Sequence, residues 1–289
     1  MELNAKKHGI FLLTLVLFFC TVFIFYLDYQ SSRRGLTFAV LDIGQGDALF
    51  IESPTGVQIL FDGGSKGKLL SKLSRVMPLF DRSIDAIVIT NPDADHIGGF
   101  ADVLKAYKVG QVFEPGTINE SRTYRDLQET IKSKNIPNTL ARQGMRLDIG
   151  GGAFIDILFP DRDVSGWTPN DGSVVARLTY GETSVMLTGD ATSETERVVL
   201  ESYPAQYLAS TVLKAGHHGS HTSSSPKFVQ AISPTYGIIS NGKNNKYGHP
   251  HQETLDTFSS FGVEIFRTDL LGTIIMKSDG SKESFEFVK

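Results

Sequence analysis

Four side chains able to ligate a metal, Asn91, Asp93, Asp95 and His96, fall within the six residues Asn91-Pro92-Asp93-Ala94-Asp95-His96. Carboxylate and imidazole donors crowded in this way suit a divalent cation. The segment before them, Ile84-Asp85-Ala86-Ile87-Val88-Ile89-Thr90, is β-branched and apolar and reads as a buried strand. After them, Ile97, Phe100, Val103, Leu104 and Tyr107 recur at helical spacing. A strand, a tight polar loop and a helix N-terminus form a place to hold a cation and a phosphate oxygen. Gly98-Gly99 weakens the helix start and implies close approach to the backbone there.

Three later clusters share this placement. Asp190 follows the apolar run Thr183–Leu187 and Thr188-Gly189. His217, His218 and His221 follow the strand-like Ser210–Gly216, and His249 and His251 follow Tyr236–Gly242. Apart from His8, every one of the seven histidines lies in these loops or the central one. Random scatter seldom puts all imidazoles at the carboxyl ends of strands, which is where open α/β sheets hold ligands.

The elements that carry these loops are legible in outline. Leu36–Ile43, Ala48–Glu52 and Val57–Asp62, joined by Gly-rich turns, form an antiparallel meander. A helix from about Lys68 to Phe80 follows, and Lys66, Lys68, Lys72 and Arg75 form a basic rim suited to phosphate. Gly110–Pro115 reads as a strand and Arg122–Asn135 as a polar helix. Met145–Ile149 with Ala153–Pro160, and Val174–Tyr180 with Thr183–Leu187, read as hairpins. Strand-rich halves on either side of helices point to two packed sheets with helices outside. At 289 residues and 40% hydrophobic the chain can bury a large core, and a net charge of −4 provides no global attraction to nucleic acid. Any polyanion is held locally. The single cysteine, Cys20, leaves the remainder without thiols for a disulfide or a metal.

Cys20 lies in an apolar run, residues 9–27, that contains no charged residue and is long enough for one membrane span. Lys6 and Lys7 precede it, and Asp28 and Arg33-Arg34 follow. A short basic N-region favours an N-terminus inside and the large domain outside the cytoplasm. No small-x-small site follows the run, which favours a retained anchor over a cleaved signal. Residues 1–35 are therefore read as the membrane anchor and its flanks, and residues 36–289 as one further domain.

Taken together, Asp42-Ile43-Gly44-Gln45-Gly46-Asp47-Ala48, Phe61-Asp62-Gly63-Gly64, Asn91 to His96, Leu187-Thr188-Gly189-Asp190-Ala191, His217-His218-Gly219-Ser220 and Tyr247-Gly248-His249-Pro250 resemble the metallo-β-lactamase superfamily. More narrowly, they are similar to the C-terminal hydrolase domain of ComEC-type DNA-uptake proteins. The resemblance runs from about Leu36 to the C-terminus with the motifs in family order. It implies an α/β fold, an αββα sandwich with a metal site at its open edge, behind one transmembrane helix. It also implies a metal-dependent hydrolase.

By this resemblance, Asp95, His96 and Asp190, with His217 or His249, make one metal position, and Asp190 bridges to another. That other position has Asn91 where the family usually has His, Asp93 as in the ComEC-type branch, and Asn170 in place of a later His. Oxygen donors there are harder than imidazole and hold zinc more weakly, so manganese or magnesium can take that position; the implied cofactor is zinc or manganese, as one ion or two. The expected reaction is attack of a metal-activated hydroxide on phosphorus or a carbonyl carbon. Asp95 orients the nucleophile, His218 or His221 protonates the leaving oxygen, and Lys66, Lys68, Lys214, Ser220 and the Gly98-Gly99 backbone hold substrate oxygens. DNA is the implied substrate, taken beside a separate uptake channel because one span cannot conduct it. An envelope phosphodiester such as a choline or teichoic decoration is the alternative, as is an anchored binding module that has lost the chemistry.

Overall fold

The structure, a computed structural model, describes residues 2–32, 35–78 and 80–289, and the side chains of residues 8–26, 35–78 and 80–289. The expected Arg33-Arg34 flank lies outside the described residues. In chain order the strands are β1 (Leu36–Val40), β2 (Leu49–Glu52), β3 (Gln58–Phe61), β4 (Ser83–Val88), β5 (Lys108–Glu114), β6 (Asn138–Leu140), β7 (Arg146–Gly150) and β8 (Ala153–Phe159). They continue with β9 (Val175–Tyr180), β10 (Thr183–Leu187), β11 (Val212–Lys214), β12 (Tyr236–Ile239), β13 (Glu264–Arg267), β14 (Thr273–Ser278) and β15 (Glu283–Val288). One sheet has the order β15-β14-β1-β2-β3-β4-β5-β6, the other β13-β12-β11-β10-β9-β8-β7.

Alternation along the strands builds three apolar layers. On β1, Leu36, Phe38 and Val40 face the second sheet, where Val185, Leu187, Val212 and Ile238 join the same cluster. Ala39 and Leu41 point the other way, into a layer with Phe100, Val103, Leu104, Leu127 and Ile131. That layer is closed by α2 (Leu69–Leu73), α3 (Ala94–Ile97), α4 (Phe100–Ala106) and α5 (Arg122–Ser133), which follow the N-terminal α1 (Glu2–Ser32). Behind the second sheet lie α6 (Ser193–Ser202), α7 (Ala205–Leu208), α8 (Pro226–Ile232) and α9 (Gln252–Ser260), with α10 (Thr268–Leu271) near its edge. The layering is therefore αββα. Phe38 and Phe61, both fully buried between the sheets, each contribute about 1.5–3 kcal/mol by burial.

The β1-β2-β3 meander is antiparallel as read from the sequence, with Phe38 opposite Ile51 and Phe50 opposite Leu60. The helix expected over Lys68–Phe80 closes at Leu73 and continues as turns. Pro78 disfavours helical backbone at Met77, and Phe80 is 91% exposed, so nothing buried rewards extension. In α1 the stretch His8–Tyr26 is long and apolar enough to cross a membrane, and the rest of the described chain does not cover it.

From β3 onward, β3, β4, β5 and β6 run parallel, as do β10, β11, β12 and β13 in the other sheet. Their carboxyl ends deliver Asp62 after β3, Asn91–His96 after β4, Asp190 after β10, His217-His218 after β11 and His249 after β12. Two sheets thus supply one rim.

Candidate metal centre

His96 lies in α3, fully buried, with Nδ1 2.8 Å from Asp62 Oδ2. Asp62 also accepts the Thr90 backbone N–H at 2.8 Å and the Thr90 hydroxyl. A buried carboxylate fixed in this way keeps the proton on Nδ1, so Nε2 is the nitrogen that can give a lone pair to a cation. That Nε2 is 2.9 Å from Asp190 Oδ2 without a well-aligned hydrogen bond. The two atoms need positive charge between them, supplied by a proton on Nε2 or by a cation that displaces it.

A second carboxylate-backed imidazole repeats the pattern from the other sheet. His218 Nδ1 is 3.2 Å from Asp47 Oδ1, and its Nε2 is 3.5 Å from both Asp95 Oδ2 and Asp190 Oδ1. Asp47 is held from behind by the fully buried Lys214, whose Nζ is 2.5 Å from Oδ2. Asp190 Oδ1, His96 Nε2 and His218 Nε2 are all buried without a hydrogen-bond partner. Asp47 Oδ1 and His218 Nδ1 are unpartnered as well, and buried polar atoms are nearly always paired, so five unpaired ones in a single cluster call for an ion. Ligand atoms of Asp95, His96 and His218 lie within 4.8 Å of one another, as do those of Asp47, Asp190 and His218.

The protonation pattern follows from the same crowding. Burial would raise Asp190, but His96 and His218 overcome it and hold the carboxyl well below its usual range. Asp47 is lowered to about 2 because Lys214 and His218 outweigh its burial. Burial would lower His218, but Asp190 and Asp47 push it up to about 9; His96 is raised well above its ordinary value by Asp190 and Asp62. Here the imidazoles carry protons because the carboxylates need positive charge. A divalent cation meets that need instead and displaces the protons. The donor set therefore fits the metal.

Above this floor opens a cavity of about 160 Å³, lined by Gln45, Asp93, Asn170, His217, Tyr247 and His249 as well as cluster residues. His217 and His218 both adopt left-handed backbone, φ 47° and 55°, so consecutive imidazoles diverge. His218 turns inward; His217 stays at the mouth with Nε2 3.8 Å from Asp190 Oδ2. Burial, with His218 and His217 nearby, pushes His249 down to about 4. Burial likewise lowers His217. Both are neutral at pH 7.

The expected second metal position is built differently. Asn91 is fully buried, its Oδ1 accepts the Asp93 N–H at 2.8 Å, and its Nδ2 donates to Asn170 Oδ1 at 2.8 Å. Both ends of the Asn91 amide are thus engaged within the protein. Asp93 faces the cavity and accepts Asn119 Nδ2 at 2.7 Å, and burial and Asp95 raise its pKa.

Several expected substrate contacts fall elsewhere. Lys214 is sealed in its ion pair with Asp47 and cannot reach a substrate. Ser220 is 3% exposed, its hydroxyl turned to Thr222. His221 pairs with His251, Nδ1 to Nδ1 at 2.8 Å, and lines a separate cavity beside Ser193 and Glu253. The Gly98 and Gly99 N–H groups are spent on Ala94 and Gly64 carbonyls, and what approaches them is the Gly63–Lys66 backbone. Lys66 and Lys68 are exposed, and Lys68 Nζ reaches Gly44, next to the cavity-lining Gln45. Asp47, Asp62 and Tyr247 had no role assigned from sequence; their signal is a carboxylate or aromatic in a Gly-containing turn at a strand end.

Residues 41–243 match the sequence pattern of the Metallo-beta-lactamase superfamily. The chain belongs to that superfamily. Within it the sequence is of the ComEC type. It is 31% identical over 273 residues to ComE operon protein 3 of Bacillus subtilis (strain 168), covering 88% of this chain and 34% of that protein. It is 30% identical over 258 residues to Recombination protein 2 of Haemophilus influenzae, covering 87% and 30%. The chain thus spans about a third of the length of these curated relatives. Among solved structures, the metallo-β-lactamase-fold protein YhfI from Bacillus subtilis matches with a TM-score of 0.56 at 12% identity, covering 87% of this chain and 100% of that one. CmlA, a diiron β-hydroxylase from Streptomyces venezuelae, matches at 0.54 and 13% identity, covering 85% and 54%. These two likenesses concern the fold alone. A fold does not fix chemistry, so this chain's own residues must carry the functional argument.

Proposed function

We propose that this chain is a membrane-anchored, metal-dependent phosphodiesterase acting on DNA, with the cation held by Asp95, His96, Asp190 and His218. The observation that carries this reading is the set of unpartnered buried atoms, Asp190 Oδ1, His96 Nε2 and His218 Nε2, in a cluster whose Asp95, Asp190 and His218 line an open cavity. A bound zinc or manganese ion supplies Lewis acidity and a water of lowered pKa. Asp62 holds His96 through Nδ1 at 2.8 Å, and Asp47 lies behind His218 Nδ1 at 3.2 Å, close enough to tighten into the same role when His218 ligates through Nε2. His217 and His249, neutral at the cavity mouth, take over the proton handling first expected of His218 and His221. They accept a proton from water or steady the leaving oxygen through a neutral ring N–H. Lys68 stands at the rim for a phosphate oxygen. The satisfied Asn91–Asn170 pair favours one ion over two.

Relatives named for competence and recombination support DNA as the substrate. α1 supports anchoring; the basic N-region supports a large domain outside the cytoplasm, where a DNA-uptake channel would be its partner. The test is metal content and hydrolysis of single-stranded DNA and a bis-aryl phosphodiester by wild type and Asp190→Ala. One bound equivalent is expected in wild type, and a loss of both metal and hydrolysis by about 100-fold or more in the variant, beyond what an outer hydrogen-bond partner costs. Equal hydrolysis by both proteins sinks the reading. Less than one equivalent in metal-replete wild type favours an anchored binding module.

A further inference from the structure

The loop that ends in His249 presents an aromatic ring at the cavity mouth. Tyr247 is 51% exposed, lines the cavity, and stacks on His249 with ring centroids 5.7 Å apart at 23°. The backbone beneath it is tied down by one side chain. Asn245 Oδ1 accepts the N–H groups of Tyr247 (3.2 Å) and His249 (3.0 Å), and its Nδ2 donates to the carbonyls of Gly242 and His249. A ring exposed to solvent yet held on a fixed loop is a preorganised contact surface, since little freedom remains to be lost on binding. Two exposed lysines flank it, Lys243 and Lys246, and Lys246 Nζ lies 5.0 Å from the ring centroid. Among the described residues neither forms an ion pair with a carboxylate.

We propose that Tyr247 is the stacking platform for a nucleobase next to the scissile phosphate, which makes the preferred substrate a single-stranded nucleic acid with unpaired bases. The inference rests on the phosphodiesterase reading and specifies its substrate class. A π-face beside cations is what successive bases and phosphates of a single strand require. A choline-bearing substrate needs the opposite surroundings. Its quaternary ammonium would take the cationic position over the ring that Lys246 already holds, with Lys243 adding repulsion. The long stem of Lys246 lets its ammonium swing from the ring to a neighbouring phosphate when a base arrives.

The test compares the full chain, in detergent, binding and cleaving a labelled oligothymidylate and an abasic oligonucleotide of the same length and charge. Wild type is expected to bind the base-bearing strand about 5- to 100-fold more tightly, the range that stacking of one base supplies. Tyr247→Phe should retain that ratio and Tyr247→Leu should bring it close to one, with metal content unchanged as the check on folding. A ratio that persists in Tyr247→Leu overturns the proposal even if the enzyme cleaves DNA. A base-dependent ratio without cleavage upholds it and removes the hydrolase reading instead. Phosphocholine competing more strongly than thymidine monophosphate for the wild-type site also overturns it.

Discussion

Two neighbouring regions of one rim, both fed by the loop after β4, have opposite electrostatic character. Around Asp190, four carboxylates, Asp190 included, and two buried imidazoles meet, with lone pairs left over. Around Asn91, two amides and a serine satisfy one another, Asn91 Nδ2 reaching Asn170 Oδ1 at 2.8 Å and Ser173 Oγ at 3.4 Å. The first region is incomplete without positive charge, and the second is complete as it stands. Proximity to a metal motif is therefore a weak guide to ligation; unspent lone pairs are a better one.

The largest effect that separates the regions is the pH dependence of stability in metal-free protein. His218 is raised from 6.5 to about 9 in the fold. Its protonated form contributes stability that is fully present below pH 6.5 and lost as pH rises through about 9, at most about 3 kcal/mol. Denaturant midpoints of chelator-treated protein should fall over that window, whereas metal-loaded protein should change little. A flat profile in the metal-free protein would mean that the cluster carries no such charge deficit.

Next in size is Asp62→Asn, which removes the anion behind His96 with little change of shape. Metal affinity should drop about 10- to 100-fold, the cost typical of outer partners of ligating histidines. Titration with zinc or manganese measures it, and unchanged affinity would detach His96 from the ion. Smallest is Asn91→Ala. It should leave one bound equivalent in place and lower stability by about 1 kcal/mol for the lost hydrogen bonds. A fall in stoichiometry would return Asn91 to the ligands and erase the contrast between the regions.

The strand-end residues Asp95, His96 and Asp190 were readable because a β-branched run that stops at a polar cluster announces its own geometry. The layered architecture was readable from the order of the elements, strand-rich halves on either side of helices. Short β6 and the strands β13 to β15 were not, since their pairing depends on partners far away in sequence, such as Val40 opposite Ile274. The roles of Asp62 and Asp47 were hidden for the same reason. An Asp in a Gly-rich turn reads as a turn former, and its histidine partner lies 34 residues on for Asp62. The sequence left the closing position to His217 or His249; that His218 instead turns inward follows from two successive left-handed residues, a backbone feature with no clear signature in residue type. Lys214 was misplaced because lysine is ordinarily a surface residue, and only Asp47, 167 residues away, makes its burial tolerable.

That Lys214–Asp47 pair joins a loop of one sheet to a strand of the other, and its two roles have different requirements. As a structural link it is replaceable, since a buried ion pair exchanged for well-packed apolar residues is often neutral or more stable by about 1–4 kcal/mol. As the support behind His218 it is not, because a hydrocarbon cannot fix an imidazole tautomer. A chain selected only for heat tolerance would drift toward methionine and leucine at these two positions and forfeit the ion-binding rim. Robustness and ion binding thus place opposite demands on this one pair.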